Sequence, residues 1–99
     1  MDLILIVKKS IDDQFKNGIK VKADRLKNVK MAYVIKDNVI VGVYVIDNTH
    51  ILYNAQTKTI DMQSIMQDKI YHHEYVGKEV EYNTFNPATI STSIENIIK

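Results

Sequence analysis

The side chains in this chain best suited to chemistry are few, and their spacing argues for binding rather than reaction. His72-His73-Glu74 puts three metal-binding groups in a row. Adjacent histidines on a helix point about 100° apart, and the HExxH spacing that brings two imidazoles onto one ion is missing. His50 would have to join from elsewhere, so no metal site is expected. Acid–base or nucleophilic catalysis needs two positioned carboxylates, or a serine with a histidine and a carboxylate. Asp12-Asp13, Glu79 with Glu81, and the serines near the C-terminus supply such atoms, but their spacing does not supply the geometry. The three glycines stand alone at positions 18, 42 and 77, so there is no phosphate loop or dinucleotide fingerprint. With no cysteine, disulfides, Cys-type zinc sites and thiol catalysis are excluded. No catalytic residue can be named, and no cofactor is expected.

Contacts for an anionic or aromatic partner remain. Residues 1 to 36 hold nine Lys/Arg against four Asp, a balance of +5; residues 37 to 99 hold four against eight acids, a balance of −4. The basic residues are densest at Lys16, Lys20, Lys22, Arg25, Lys27 and Lys30. Such a patch either meets phosphates or is simply a solvated face. The candidate site places Arg25 and Lys27 on a phosphate and Tyr33 and Tyr44 on a base beside a notch at Gly42. Lys78 and Asn86 close the far rim. The plainer place for the two tyrosines is the core.

The element that must position these residues is Met31 to Asp47, MAYVIKDNVIVGVYVID, two apolar runs meeting at Asp37-Asn38. Both turn residues tolerate positive φ, which predicts a two-residue hairpin. Regular pairing would set Tyr33 opposite Gly42 and Met31 opposite Tyr44, with Tyr33, Gly42 and Tyr44 on one face. Both faces are apolar, so both must be covered, which suggests a barrel wall with something packed outside it. Leu3 to Lys8 reads as the first strand, and Ser10 as the N-cap of a helix from Ile11 to Asn17 that ends at Gly18. Ile19 to Lys22 reads as an edge strand, and Asp24 as the cap of a turn through Lys30 with Leu26 and Val29 inward. His50 to Asn54 and Thr57 to Ile60 suggest a short strand pair. Asp61 opens a helical pattern, Met62, Ile65, Met66 and Ile70, that continues to Gly77. Lys78 to Tyr82 alternates like a strand, Asn86-Pro87 marks a turn before an extended piece through Ile90, and Thr92-Ser93-Ile94-Glu95 fits a capping box. The Leu3 to Val7 run is too short, with the wrong flanks, for a signal peptide or membrane span. Ninety-nine residues, 45% hydrophobic and 25% charged, suit one globular domain over 1–99.

KADRLKNVKMAYVIKDNVIVGVYVID, then DKIYHHEYVGKEV, then FNPATI resembles, in that order, the small PUA-like β-barrel domains related to the ASCH and EVE groups of bacterial and phage proteins. The matching positions are Asp24, Arg25, Leu26 and Val29 to Asp47, then Tyr75 to Lys78, then Asn86 and Pro87. The resemblance implies an α+β chain with a small open barrel and two or three short helices. It also implies a non-enzymatic module that binds nucleic acid, a modified base or a small nucleotide; the lack of cysteine suits a cytoplasmic location. The charge split supports a second reading, a small phage or mobile-element protein that inhibits or sequesters a host protein by surface contact, as a monomer or small homo-oligomer.

Overall fold

Leu3 to Ile6 is apolar without alternation, the composition of a strand covered on both faces. In the computed structural model, which describes residues 1–99, that segment is β1 (Asp2–Ile6), an inner strand of a five-stranded sheet. The other strands of this sheet are β2 (Met31–Lys36), β3 (Val39–Ile46), β6 (Met66–Lys69) and β7 (Ala88–Thr92), in the order β6-β3-β2-β1-β7. β1 runs parallel to β2, and every other pairing is antiparallel. A parallel pair needs a long crossover. Residues 7–30 provide it, through the one-turn helix α1 (Ile11–Gln14) and a 3-10 turn at Ala23–Asn28. β4 (Tyr53–Asn54) and β5 (Thr59–Ile60) form a separate small hairpin, followed by the one-turn helix α2 (Met62–Ile65); a 3-10 turn at Ile94–Asn96 lies near the end. The chain is therefore α+β, with an open sheet whose edges are β6 and β7. No closed barrel forms. No helix is long and apolar enough to cross a membrane.

The hairpin turns where expected, with Asp37 at φ 53° and Asn38 at φ 63°. Its register departs from the regular one two residues later. Lys36 pairs with Val39 and Ile35 with Ile40, but Val34 then faces Gly42, Tyr33 faces Val43 and Ala32 faces Tyr44. Val41 is the extra residue of a β-bulge, and it is exposed. The missing side chain at Gly42 makes this possible: a Cβ there would lie 3.3 Å from Tyr44 Cε1, so the Tyr44 ring lies over the glycine. The bulge puts Tyr33 and Tyr44 on opposite faces of the sheet, so the shared niche expected from the sequence does not exist.

Each face carries its own core. Leu3, Leu5 and Val34 pack with Phe15, Leu26, Ile60 and Ile65 on one side. Ile4, Tyr33, Ile35 and Val43 pack with Val80, Ile94 and Ile97 on the other. At roughly 1.5–3 kcal/mol for each large apolar side chain removed from water, neither layer is dispensable.

Several local readings give way to this packing. Ser10 does cap α1, accepting the Asp13 N–H at 3.2 Å, but the helix is a single turn. The helix expected from Asp61 to Val76 stops at Ile65 and becomes β6, because β3 beyond Val43 would otherwise lack a partner. Ser64 helps to end it by donating its hydroxyl back to Asp61 O at 2.7 Å. The capping box near the C-terminus does not form. The Ile94 N–H donates instead to the Asp2 carboxylate at 2.8 Å, tying the last turn to β1. Ile90 goes to the first core, and Ile94 and Ile97 go to the second. The strand segments expected at Ile19 to Lys22 and Lys78 to Tyr82 reduce to single bridges, Ile19–Ile60, Val39–Glu79 and Val80–Ile98. Asp24 sits inside its 3-10 turn, and Lys22 precedes that turn with no side-chain cap.

Gly18 and Gly77 separate two effects of glycine. Both have positive φ, 101° and 93°, but a Cβ at Gly18 would come within 2.5 Å of Thr59 Oγ1, whereas at Gly77 it meets open space. Gly77→Ala should cost about 1–2 kcal/mol from the backbone alone. Gly18→Ala should cost about 2–4 kcal/mol, because overpacking adds to the strain. Urea unfolding of the two variants checks this, and equal losses would contradict the packing at Gly18.

Candidate functional site

The site begins with an edge strand. The Ile6 N–H donates to Pro87 O at 2.8 Å and Leu5 pairs with Ala88, so strand alternation turns the main-chain groups of Ala88 away from β1, before the pairing shifts register between Thr89 and Thr92. Apart from the sheet bonds, no main-chain hydrogen bond involves Ala88–Thr92. Along this free edge runs a cleft of about 500 Å³. One wall carries Lys20, Lys22 and Arg25, and the other carries Tyr82, Asn83, Thr84 and Asn86. None of the three cations is in an ion pair, and no carboxylate lines the cleft.

Each wall is held in place by its own set of contacts. The turn that carries Arg25 is anchored inward by Leu26 and Val29. The Asn48 amide clamps it from the β3–β4 connection, donating to the carbonyls of Lys27 at 2.8 Å, Leu26 at 3.0 Å and Val29 at 3.3 Å. On the far wall the Tyr82 hydroxyl bonds Thr89 Oγ1 at 2.8 Å and Ser91 Oγ at 2.7 Å, fixing the loop against β7. Beyond Tyr82, Phe85 is fully exposed and borders a smaller hollow with Tyr82, Asn83 and Thr84. The result is a cationic wall facing an amide-rich, aromatic one across unpartnered main-chain groups. Such a surface can hold an anion and a planar ring, and it offers no nucleophile beside a base.

Of the candidate-site residues read from the sequence, Arg25 and Asn86 meet in this cleft, joined by Lys20 and Lys22 of the basic patch. The others lie elsewhere. Lys27 is paired with Asp24 at 3.4 Å in full solvent. Lys78 sits against the start of β3, its carbonyl accepting the Ile40 N–H at 2.9 Å. Gly42 and Tyr44 belong to the first-core face of β3. Tyr33, only 4% exposed, lies in the second core beside His73 and Tyr75, with ring centroids 6.0 and 6.2 Å away. Sequence reasoning missed Tyr82 and Phe85. Phe85 did leave a trace: a single phenylalanine among Asn83, Thr84, Asn86 and Pro87 has no apolar neighbours to join.

The tyrosines confirm this division of roles. Burial, with the charges of Asp2 and Glu95 nearby, pushes the Tyr33 hydroxyl up to about 12, and burial also raises that of Tyr44. Both are core groups that keep their protons. His73 uses Nδ1 to accept the Tyr75 N–H at 3.1 Å, and no three His, Asp or Glu side chains converge on one point. The Asp47 carboxyl is held below the usual carboxylate range by hydrogen bonds from the Thr49 hydroxyl and N–H.

No family model matches this chain, and neither a curated protein nor a solved structure is significantly similar to it.

Two predictions follow from these contacts. Asn48→Ala removes an amide shared by three carbonyls, of which Leu26 keeps the Val29 N–H, and should destabilise the chain by about 1–3 kcal/mol, read from urea midpoints. Tyr33 holds its proton more tightly folded than unfolded, so its contribution is complete below pH 10 and is lost as pH rises toward 12. Wild type should therefore lose stability more steeply than Tyr33→Phe between pH 10 and 12. Parallel curves would show that the hydroxyl is not desolvated.

Proposed function

We propose that this chain is a non-enzymatic binding module for nucleic acid or a nucleotide, and that the cleft beside β7 is its site. One observation carries the reading: three unpaired cations line a cleft with no acid in it, and its far wall of Tyr82, Asn83 and Thr84 also borders the hollow that holds the fully exposed Phe85. Lys20, Lys22 and Arg25 neutralise phosphates, Arg25 through its fork of donors. Phe85 offers a face on which a base stacks, a contact indifferent to base identity. Asn83 and Asn86 present amide donors and acceptors to a base edge. The motif resemblance to PUA-like open barrels supports the same class of ligand, although the contacts proposed here lie beside β7 and not on the hairpin.

Anisotropy titrations of a labelled single-stranded oligonucleotide at low salt test this. Replacing Lys20, Lys22 and Arg25 together by alanine should flatten the slope of log K against log salt by about 2, at roughly 0.7 per phosphate contact. Phe85→Ala should weaken binding by about 1–3 kcal/mol and leave that slope unchanged. Lys27→Ala and Lys78→Ala, outside the cleft, should change little. Binding by the triple variant indistinguishable from wild type would refute the assignment.

A further inference from the structure

We infer that the occupant of the cleft is one strand of nucleic acid lying lengthwise along the free edge of β7, rather than a mononucleotide or a duplex. This rests on the nucleic-acid reading above and adds the form of the ligand.

The cleft is a segment of a trench. At one end it shares Lys20, Asn86 and Ala88 with a hollow of about 380 Å³ that reaches Gly18. At the other it shares Arg25 and Ile90 with a hollow of about 250 Å³ that reaches Asn28. Past Gly18, Lys16 lines a further open hollow. A mononucleotide is ordinarily held in a pocket that encloses most of its surface, whereas a path open at both ends fits a polymer that enters and leaves.

Cations follow the trench in the order of the chain, Lys16, Lys20, Lys22 and Arg25, and outnumber the acids of its end hollows, Asp24 and Asp61, as a row of phosphates requires. The surroundings favour an unpaired strand. The outward N–H and C=O groups of Ala88 can reach a Watson–Crick edge only where it is free, and Phe85 can stack only on a base that has left its own stack. Five residues of β7 span about 16 Å, enough for several nucleotides and too much for one.

The test is a length series on the full chain at low salt: one to twelve nucleotides of one sequence, the corresponding duplex, and a poly-glutamate peptide as competitor. Affinity should rise on the order of 100-fold from the mononucleotide to about four to six nucleotides and then level off. The duplex should bind about 10-fold more weakly than the single strand. Lys16→Ala should weaken the hexamer and leave the mononucleotide unchanged. A mononucleotide that binds as well as the hexamer, or a duplex that matches the single strand, overturns this inference and leaves the binding module standing. A glutamate peptide that displaces the oligonucleotide more effectively than the hexamer does gives the trench to strand addition by an acidic polypeptide and overturns it too. Absence of binding by every nucleic acid below about millimolar sinks the functional reading itself.

Discussion

A sheet whose inner strands are apolar on both faces has to be roofed on both, and that requirement shapes the rest of this chain. β1 and β2 present Leu3, Leu5, Ala32 and Val34 to one side and Ile4, Tyr33 and Ile35 to the other. No segment of regular structure elsewhere is long enough to cover either face. The crossover, the small hairpin and α2 cover the first, and the stretch from Ile70 to Tyr82 with the last 3-10 turn covers the second. Short irregular pieces make poor roofs unless they are pinned, and the pins are polar. Asn48 holds the first layer through three carbonyls, and Asp2 holds the second through the Ile94 N–H. Each joins segments far apart in sequence, so each acts only after the chain has folded.

What was legible in the sequence follows from the range over which each force acts. The turn at Asp37-Asn38 is written in two residues that accept positive φ, and the Ser10 cap in the hydroxyl three residues before Asp13. Two-sided burial of the hairpin could be read from composition alone. The bulge at Val41 could not, because it depends on where the Tyr44 ring goes once both cores exist. That one extra residue shifts the parity of β3 and moved Tyr44 away from Tyr33, dismantling the expected stacking niche. Met62, Ile65, Met66 and Ile70 carry a helical period, yet an unpaired edge of β3 draws the second half of that segment into a strand. Local propensity lost there to hydrogen bonds that only the tertiary fold supplies.

The candidate site shows the same limit. Arg25 and Asn86, 61 positions apart, were both named from their side-chain chemistry, and the fold brings them to one cleft. Their being neighbours depends on β7 pairing with β1, a contact between the ends of the chain that no local pattern encodes. Lys27 has the same charge as Arg25 two residues earlier, but it points to Asp24 because the 3-10 turn sets consecutive residues on different sides.

The two edges of the sheet are protected differently, and the difference bears on function. β6 ends in Gln67, Asp68 and Lys69, all exposed, so charged side chains on the strand itself discourage another strand from pairing with it. β7 reads Ala-Thr-Ile-Ser-Thr and carries no charge. Its protection is displaced onto the neighbouring wall, where Lys20, Lys22 and Arg25 stand over the edge. Charges on the strand would repel any partner by crowding the edge. Cations set back from it repel selectively: they disfavour a second copy, which would bring its own three cations, and they attract anything anionic. On the proposed reading, an edge left open beside cations favours an anionic partner: the cations set the sign, and the unpaired main-chain groups that make the edge a hazard supply contacts.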